Sequence, residues 1–152
     1  MSTTSPVNTS NKEILDVRNL NVSYHSQRGR IHAIRNVSFK LGCEKLGIVG
    51  ESGSGKSTLG RTIMRVLPES AHTEGQILFN DENLLTLPER KMRDIRGGGI
   101  SMILQDPKFS LNPVMRVGDQ ITEAFLAHSR SDKTFARKQS LELMESVKIR
   151  NP

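Results

Sequence analysis

A chain of 152 residues suits about one domain, and 35% hydrophobic with only 4% aromatic content implies a lean, aliphatic core. No run approaches the eighteen or more consecutive apolar residues of a membrane span, and the single cysteine, Cys43, excludes an internal disulfide and is compatible with a reducing cytoplasm. A net charge of +6 raises nucleic acid or an anionic surface as partners. However, the basic residues are spread through the chain, among them Arg28, Arg30, Arg137 and Lys138, densest at Arg90, Lys91, Arg93 and Arg96, with little aromatic interleaving to stack bases. A solvated basic face is the favoured reading, and no nucleic-acid partner is expected.

In chain order, residues 1–12 are a Ser/Thr/Asn-rich polar tail, without the apolar core of a secretory signal. Apolar residues at Ile14, Leu15, Val17, Leu20 and Val22 predict two short strand pieces over 14–24, interrupted at Arg18-Asn19. A turn around Gly29 follows, and Val37, Phe39 and Leu41 alternate as in a half-buried strand. Leu46 to Val49 reads as a short buried strand. Leu59, Ile63 and Leu67 then recur at helical spacing over 56–67, until Pro68 stops the pattern.

Between that strand and that helix lies Gly50-Glu51-Ser52-Gly53-Ser54-Gly55-Lys56-Ser57-Thr58, in which every position of a phosphate-binding loop is filled. Strand, glycine-rich loop and helix together turn several backbone N–H groups toward one point, at the positive end of the helix dipole. Glycines at 50, 53 and 55 permit backbone conformations that a Cβ forbids, and let the chain approach an anion closely. Lys56 supplies a compact charge for the β- and γ-phosphates, and the Ser57 hydroxyl is a hard oxygen suited to the bridging Mg²⁺. The pattern implies binding of a nucleoside triphosphate with Mg²⁺.

Beyond it, a strand over 76–79 opens from residues 73–75 and ends in a turn at 80–83. Pro88 starts a short helix to about Arg96, and Gly97-Gly98-Gly99 ends it. Residues 100–104 are mostly apolar and of strand length, and residues 108–116 form a loop. Two helices follow, over 117–128 with Ile121, Ala124, Phe125 and His128 on one face, and over 132–147 with Ala136, Ser140, Leu143 and Val147 on one face.

Several stretches carry a family resemblance over nearly the whole chain, from Ile14 to Arg150. They are His32-Ala33-Ile34-Arg35-Asn36-Val37-Ser38-Phe39, the phosphate loop with its preceding Leu46-Gly47-Ile48-Val49, and Ile95-Arg96-Gly97. Most specific is Ser101-Met102-Ile103-Leu104-Gln105-Asp106-Pro107, continuing to Ser110-Leu111-Asn112-Pro113. On these residues the chain resembles the ATP-binding subunits of ABC transporters, in the branch serving peptide, dipeptide and nickel importers. The resemblance implies an α/β fold: the P-loop NTPase core of an ABC ATPase with an N-terminal β-subdomain, incomplete at the C-terminus. Residues 13–152 would then be a partial ATP-binding domain.

The same resemblance implies the roles of individual residues. Gln105 would be the glutamine-loop residue that touches Mg²⁺ or the attacking water, and an amide at a strand end offers one acceptor and two donors for that task. Tyr24 would stack on the adenine ring. The nucleotide would be held by Tyr24, Gly50, Ser52, Gly53, Ser54, Gly55, Lys56, Ser57 and Thr58, with Lys56 and Gln105 catalytic and Ser57 and Gln105 at Mg²⁺. The implied partners are ATP, permease transmembrane subunits and a second ATP-binding subunit, at the cytoplasmic face of the inner membrane. Two positions depart from the pattern: Cys43 where glycine is usual, and Leu104 where phenylalanine is common.

Other expected parts do not occur among the 152 residues: a Leu-Ser-Gly-Gly-Gln-like signature, an apolar strand ending Asp-Glu, and a switch histidine. Ile77-Leu78-Phe79-Asn80-Asp81-Glu82 imitates the second, but Asn80 breaks the run, and Glu82 is rejected as general base. Gly97-Gly98-Gly99 lacks the leucine and serine of a signature, and His128 reads as a packed side chain on an apolar face. The chain is therefore expected to bind nucleotide weakly and turn it over little, since positioned water and electrostatic stabilisation are most of phosphoryl-transfer catalysis. A truncated nucleotide-binding remnant without transport activity is the alternative, and a different P-loop NTPase the weaker one.

Overall fold

A computed structural model describes residues 13–26, 29–105 and 110–149. The chain divides into two compact units, Met1–Met92 and Arg93–Pro152. The predicted tail, part of the turn before Gly29 and part of the loop after Gln105 lie outside the described residues.

In the first unit, β1 (Leu15–Ser26), β2 (Gly29–Leu41), β3 (Ala71–Phe79) and β4 (Glu82–Asn83) form an antiparallel sheet in the order β2-β1-β3-β4. The two strand pieces expected over 14–24 are one strand. Its interruption at Arg18-Asn19 is a bulge, where the register slips between Val17 and Leu20. Asn19 takes φ 47°, and its N–H donates to Ser38 Oγ at 2.8 Å. Asn tolerates this left-handed conformation, so the strand bends without ending. Opposite the bulge, Gly75 has φ 106°, and a Cβ there would lie 2.6 Å from both the Arg18 and Asn19 carbonyl oxygens, so only glycine fits.

Inward-facing residues of the sheet, Val17, Leu20, Val22 and Ile77, are fully buried, together with Leu84 and Met92. The β3–β4 hairpin turns through Asn80 and Asp81 at φ 47° and 68°, as a two-residue turn with positive φ at both positions requires. Glu82, already rejected as a base, belongs to this hairpin and pairs with Lys91 at 3.1 Å.

Helix α1 (Lys56–Ile63) is shorter than the predicted 56–67. Arg65 at φ 52° ends it, and the Arg65 guanidinium is held by the carbonyls of Leu84 (3.1 Å) and Leu87 (2.6 Å). Leu67 therefore lies beyond the helix. The larger correction concerns residues 46–49: they form no strand, and Leu46, Ile48 and Val49 are exposed, Val49 at 97%. A buried strand needs ladder partners for its N–H and C=O groups, and no described strand pairs with this segment.

Helix α2 (Glu89–Gly98) runs through the boundary between the units and loses helical geometry at Arg96 and Gly97 (φ 90°). In the second unit, residues 100–104 are likewise not the predicted strand. A single bridge joins Arg96 and Ile100, and Ile103 is 98% exposed. Helices α3 (Val117–His128) and α4 (Lys133–Ser146) agree with expectation and pack as a pair that buries Thr122, Ala136, Ser140 and Met144. Asp132 caps α4 by accepting from the N–H groups of Thr134 and Phe135 at 2.8 and 2.9 Å.

The Phe125 and Phe135 rings meet with centroids 6.2 Å apart. Leu143 and Val147, predicted on the packed face of α4, are exposed, and the buried stripe runs through Met144 instead. The His128 ring lies against Gly97, so close that a Cβ there would be 2.6 Å from its Nε2, but the residue as a whole is exposed rather than packed on an apolar face.

Candidate functional site

The phosphate-binding motif occupies an irregular loop leading into α1. Gly53 and Gly55 adopt φ 80° and 94°, and Gly55 is the N-cap of the helix in the left-handed conformation. No side chain caps that end, so its first N–H groups are offered outward rather than consumed internally. The Gly55 carbonyl accepts from Leu59 N–H at 2.8 Å, and Leu59 with Thr62 anchors the helix in the unit. Gly55 admits no side chain for a second reason: a Cβ would stand 2.5 Å from the Ala33 carbonyl oxygen of β2. At Gly50 a Cβ would meet Ser54 Oγ at 2.7 Å.

Lys56 folds back over its own loop. Its ammonium donates to the carbonyls of Gly50 (2.7 Å) and Glu51 (2.6 Å) and approaches Ser54 Oγ at 3.2 Å. The charge is thereby held at the centre of the loop, where an entering phosphate would meet it. Ser57 is exposed, and its hydroxyl has no hydrogen bond among the described residues, so its oxygen fits the role of a Mg²⁺ ligand. Ser52 is exposed in the loop, and Thr58 is half-buried, its carbonyl accepting from Thr62 Oγ1 at 2.6 Å.

A cleft of about 330 Å³ opens between β2 and the loop. Val37, Ile48 and Leu59 supply apolar walls, and Ser54, Lys56 and Arg35 polar ones. Arg35 was not among the residues expected at the site. Its only mark in the sequence was its place in the stretch from His32 to Phe39, which says nothing of where its strand bulges.

Tyr24 is half-buried in β1, paired across the sheet with Ile31 of β2 and Ala71 of β3. The first unit thus holds Tyr24 and the whole phosphate loop. Gln105 is exposed at a bend in the second unit.

A glycine-rich loop of this geometry on a helix N-terminus has the form of a P-loop, and a family model described as ABC transporter matches residues 34–151. The chain belongs to the ABC transporter ATPases. It is 49% identical over 143 residues to a dipeptide transport ATP-binding protein of Lactococcus lactis, covering 91% of this chain and 40% of that protein. It is 44% identical over 142 residues to an oligopeptide transport ATP-binding protein of Bacillus subtilis, again covering 91% and 40%. The chain thus spans about two fifths of the length of the curated relatives it matches.

Among solved structures, a dimeric bacterial ABC transporter cassette superposes with TM-score 0.69 at 22% identity, over 90% of this chain and 58% of that one. The fold is therefore a mixed α/β part of an ABC ATPase domain, as the sequence led us to expect.

Proposed function

We infer that this chain is the ATP-binding part of an importer subunit that couples ATP binding and hydrolysis to transport of peptides. The observation that carries the reading is Lys56, ringed by oxygens of its own loop at 2.6 to 3.2 Å on the uncapped N-terminus of α1. Peptide cargo is favoured over nickel by the names of the relatives, which are dipeptide and oligopeptide transport ATP-binding proteins. Residues 13–152 would be a partial ATP-binding domain behind a polar tail.

In this reading Lys56 and the N–H groups of residues 52–58 bind the phosphates, and Tyr24 stacks on adenine. Ser57 and Gln105 would be the residues that hold Mg²⁺, whose charge would offset that of the phosphates. Gln105 also orients the attacking water. A second such subunit and the permease would complete the assembly at the cytoplasmic face of the inner membrane. A related cassette is known in a post-hydrolysis state bound to ADP and Pi.

Turnover needs groups that do not occur among these 152 residues, the Asp-Glu strand and the signature segment. The isolated chain is thus proposed to bind MgATP without appreciable hydrolysis. Equilibrium binding with parallel phosphate release tests both statements. Lys56→Ala should weaken MgATP binding on the order of a hundredfold, because charge-assisted bonds to phosphate are lost. Unchanged affinity in that variant would remove the loop as the site, and steady phosphate release by the wild-type chain would refute the second statement.

A further inference from the structure

Among the described residues, Arg35 is the one cation besides Lys56 that lines the cleft beside the phosphate loop. Its placement follows from two irregularities in β2. Between the rungs Leu20↔Val37 and Ser23↔His32, β1 advances three residues while β2 advances five. The surplus is accommodated near Ala33 and at Arg35-Asn36, with Asn36 in the left-handed conformation at φ 48°. The Asn36 N–H is fixed by Asn21 Oδ1 at 2.9 Å, so the bulge is a built feature of the strand. Bulges re-aim side chains and recur next to binding sites. Here they flank Arg35, an exposed residue that lines the cleft where the Ala33 carbonyl abuts Gly55.

Its electrostatics differ from those of the other basic residues on the sheet. Arg18 is paired with Asp16, Arg30 with Glu74, and Lys40 with Glu13 and Asp16. Arg35 has no hydrogen bond or ion pair through its side chain among the described residues, and no acidic residue lines the cleft. Two like charges on one small cleft repel each other, and an anion bound between them would relieve that repulsion. A guanidinium offers a planar fork matched to two phosphate oxygens, which an ammonium cannot reproduce. An exposed arginine that merely guards an edge strand would need neither the bulges nor the shared cleft.

We propose that Arg35 is a second phosphate-contacting residue, its guanidinium binding the polyphosphate chain of a nucleotide seated on the Lys56 loop. The proposal rests on the reading of that loop as a nucleotide site. It assigns Lys56 to the centre of the loop and Arg35 to its β2 side.

The test is calorimetric titration of MgATP into the full 152-residue chain as wild type, Arg35→Ala, Arg35→Lys, Arg90→Ala and Lys56→Ala. Far-ultraviolet circular dichroism checks that each variant is folded. Arg35→Ala should weaken binding about tenfold, the scale of one charge-assisted hydrogen-bond pair. Arg35→Lys should recover part of the loss, keeping the charge without the fork. Arg90→Ala, which removes an exposed cation on α2, should bind as wild type. If Lys56→Ala loses binding while Arg35→Ala matches wild type or Arg90→Ala, the loop is the site and the role of Arg35 is refuted. If the wild-type chain shows no saturable binding, or Lys56→Ala is unaffected, the nucleotide reading fails and this proposal falls with it.

Discussion

Two apolar stretches of the first unit meet opposite fates. Residues 15–22 of β1 lie between β2 and β3, and Val17, Leu20 and Val22 are no more than 1% exposed. Leu46, Ile48 and Val49 are as aliphatic but have no ladder partner, and stand 46% to 97% exposed. What separates them is neighbours rather than hydrophobicity. Strand β1 has an antiparallel partner on each side, whereas no described strand pairs with the segment before the phosphate loop. Burial without partners would strand its N–H and C=O groups, which costs more than its side chains would recover.

The contrast can be broken most directly by truncation. Ile77→Ala, in the same buried layer as β1, should destabilise the first unit by about 3 kcal/mol, as for large-to-small changes in a packed core. Val49→Ala should cost less than about 0.5 kcal/mol, the range for exposed positions. Urea unfolding of both variants decides the matter; equal losses would mean that 46–49 is buried in solution.

A smaller effect is expected at the bulge that lets β1 bend without leaving the sheet. Gly75→Ala forces a Cβ to 2.6 Å from two carbonyl oxygens at φ 106°, and should cost about 2 kcal/mol. A melting temperature unchanged by Gly75→Ala would show that the sheet gives way there freely.

The mildest probe is pH. Arg18 Nε and an Nη donate to Asp16 Oδ2 at 2.8 and 2.6 Å and hold its carboxyl below the ordinary carboxylate value, with Lys40 adding to the effect. The folded value lies below the unfolded one. The stabilisation is therefore complete above the unfolded pKa of about 3.9, and is lost as pH falls through the lowered folded value. Arg18→Ala should move the Asp16 titration upward, as read by carboxyl-carbon NMR; a titration that stays in place would assign the shift to another cause.

The same contrast explains what could be read from the sequence. The glycine-rich loop and the start of α1 were legible, because Gly53 and Gly55 act through local backbone geometry. Helices α3 and α4 were legible because their periodicity and the Asp132 cap are local too. Residues 46–49 and 100–104 were misread, since an apolar run of strand length carries no statement about who will pair with it. The single strand β1 was read as two because a bulge and a break look alike when only Arg18-Asn19 is visible. Arg35 was missed for a related reason: a bulge is a property of the pairing between β1 and β2, not of either strand alone.

The lysine folded onto its own loop has one more consequence, in selectivity. Gly50, Glu51 and Ser54 already occupy the ammonium's donors with short contacts, so an incoming anion must compete with oxygens that are in place at all times. A chloride ion, with one charge and no array of oxygens, gains too little from that exchange to displace them. A polyphosphate repays each surrendered carbonyl with a charged oxygen and meets the helix N–H groups as well. If the loop takes a nucleotide, these contacts would make it its own stopper, to be displaced by a polyanion rather than by a monovalent ion.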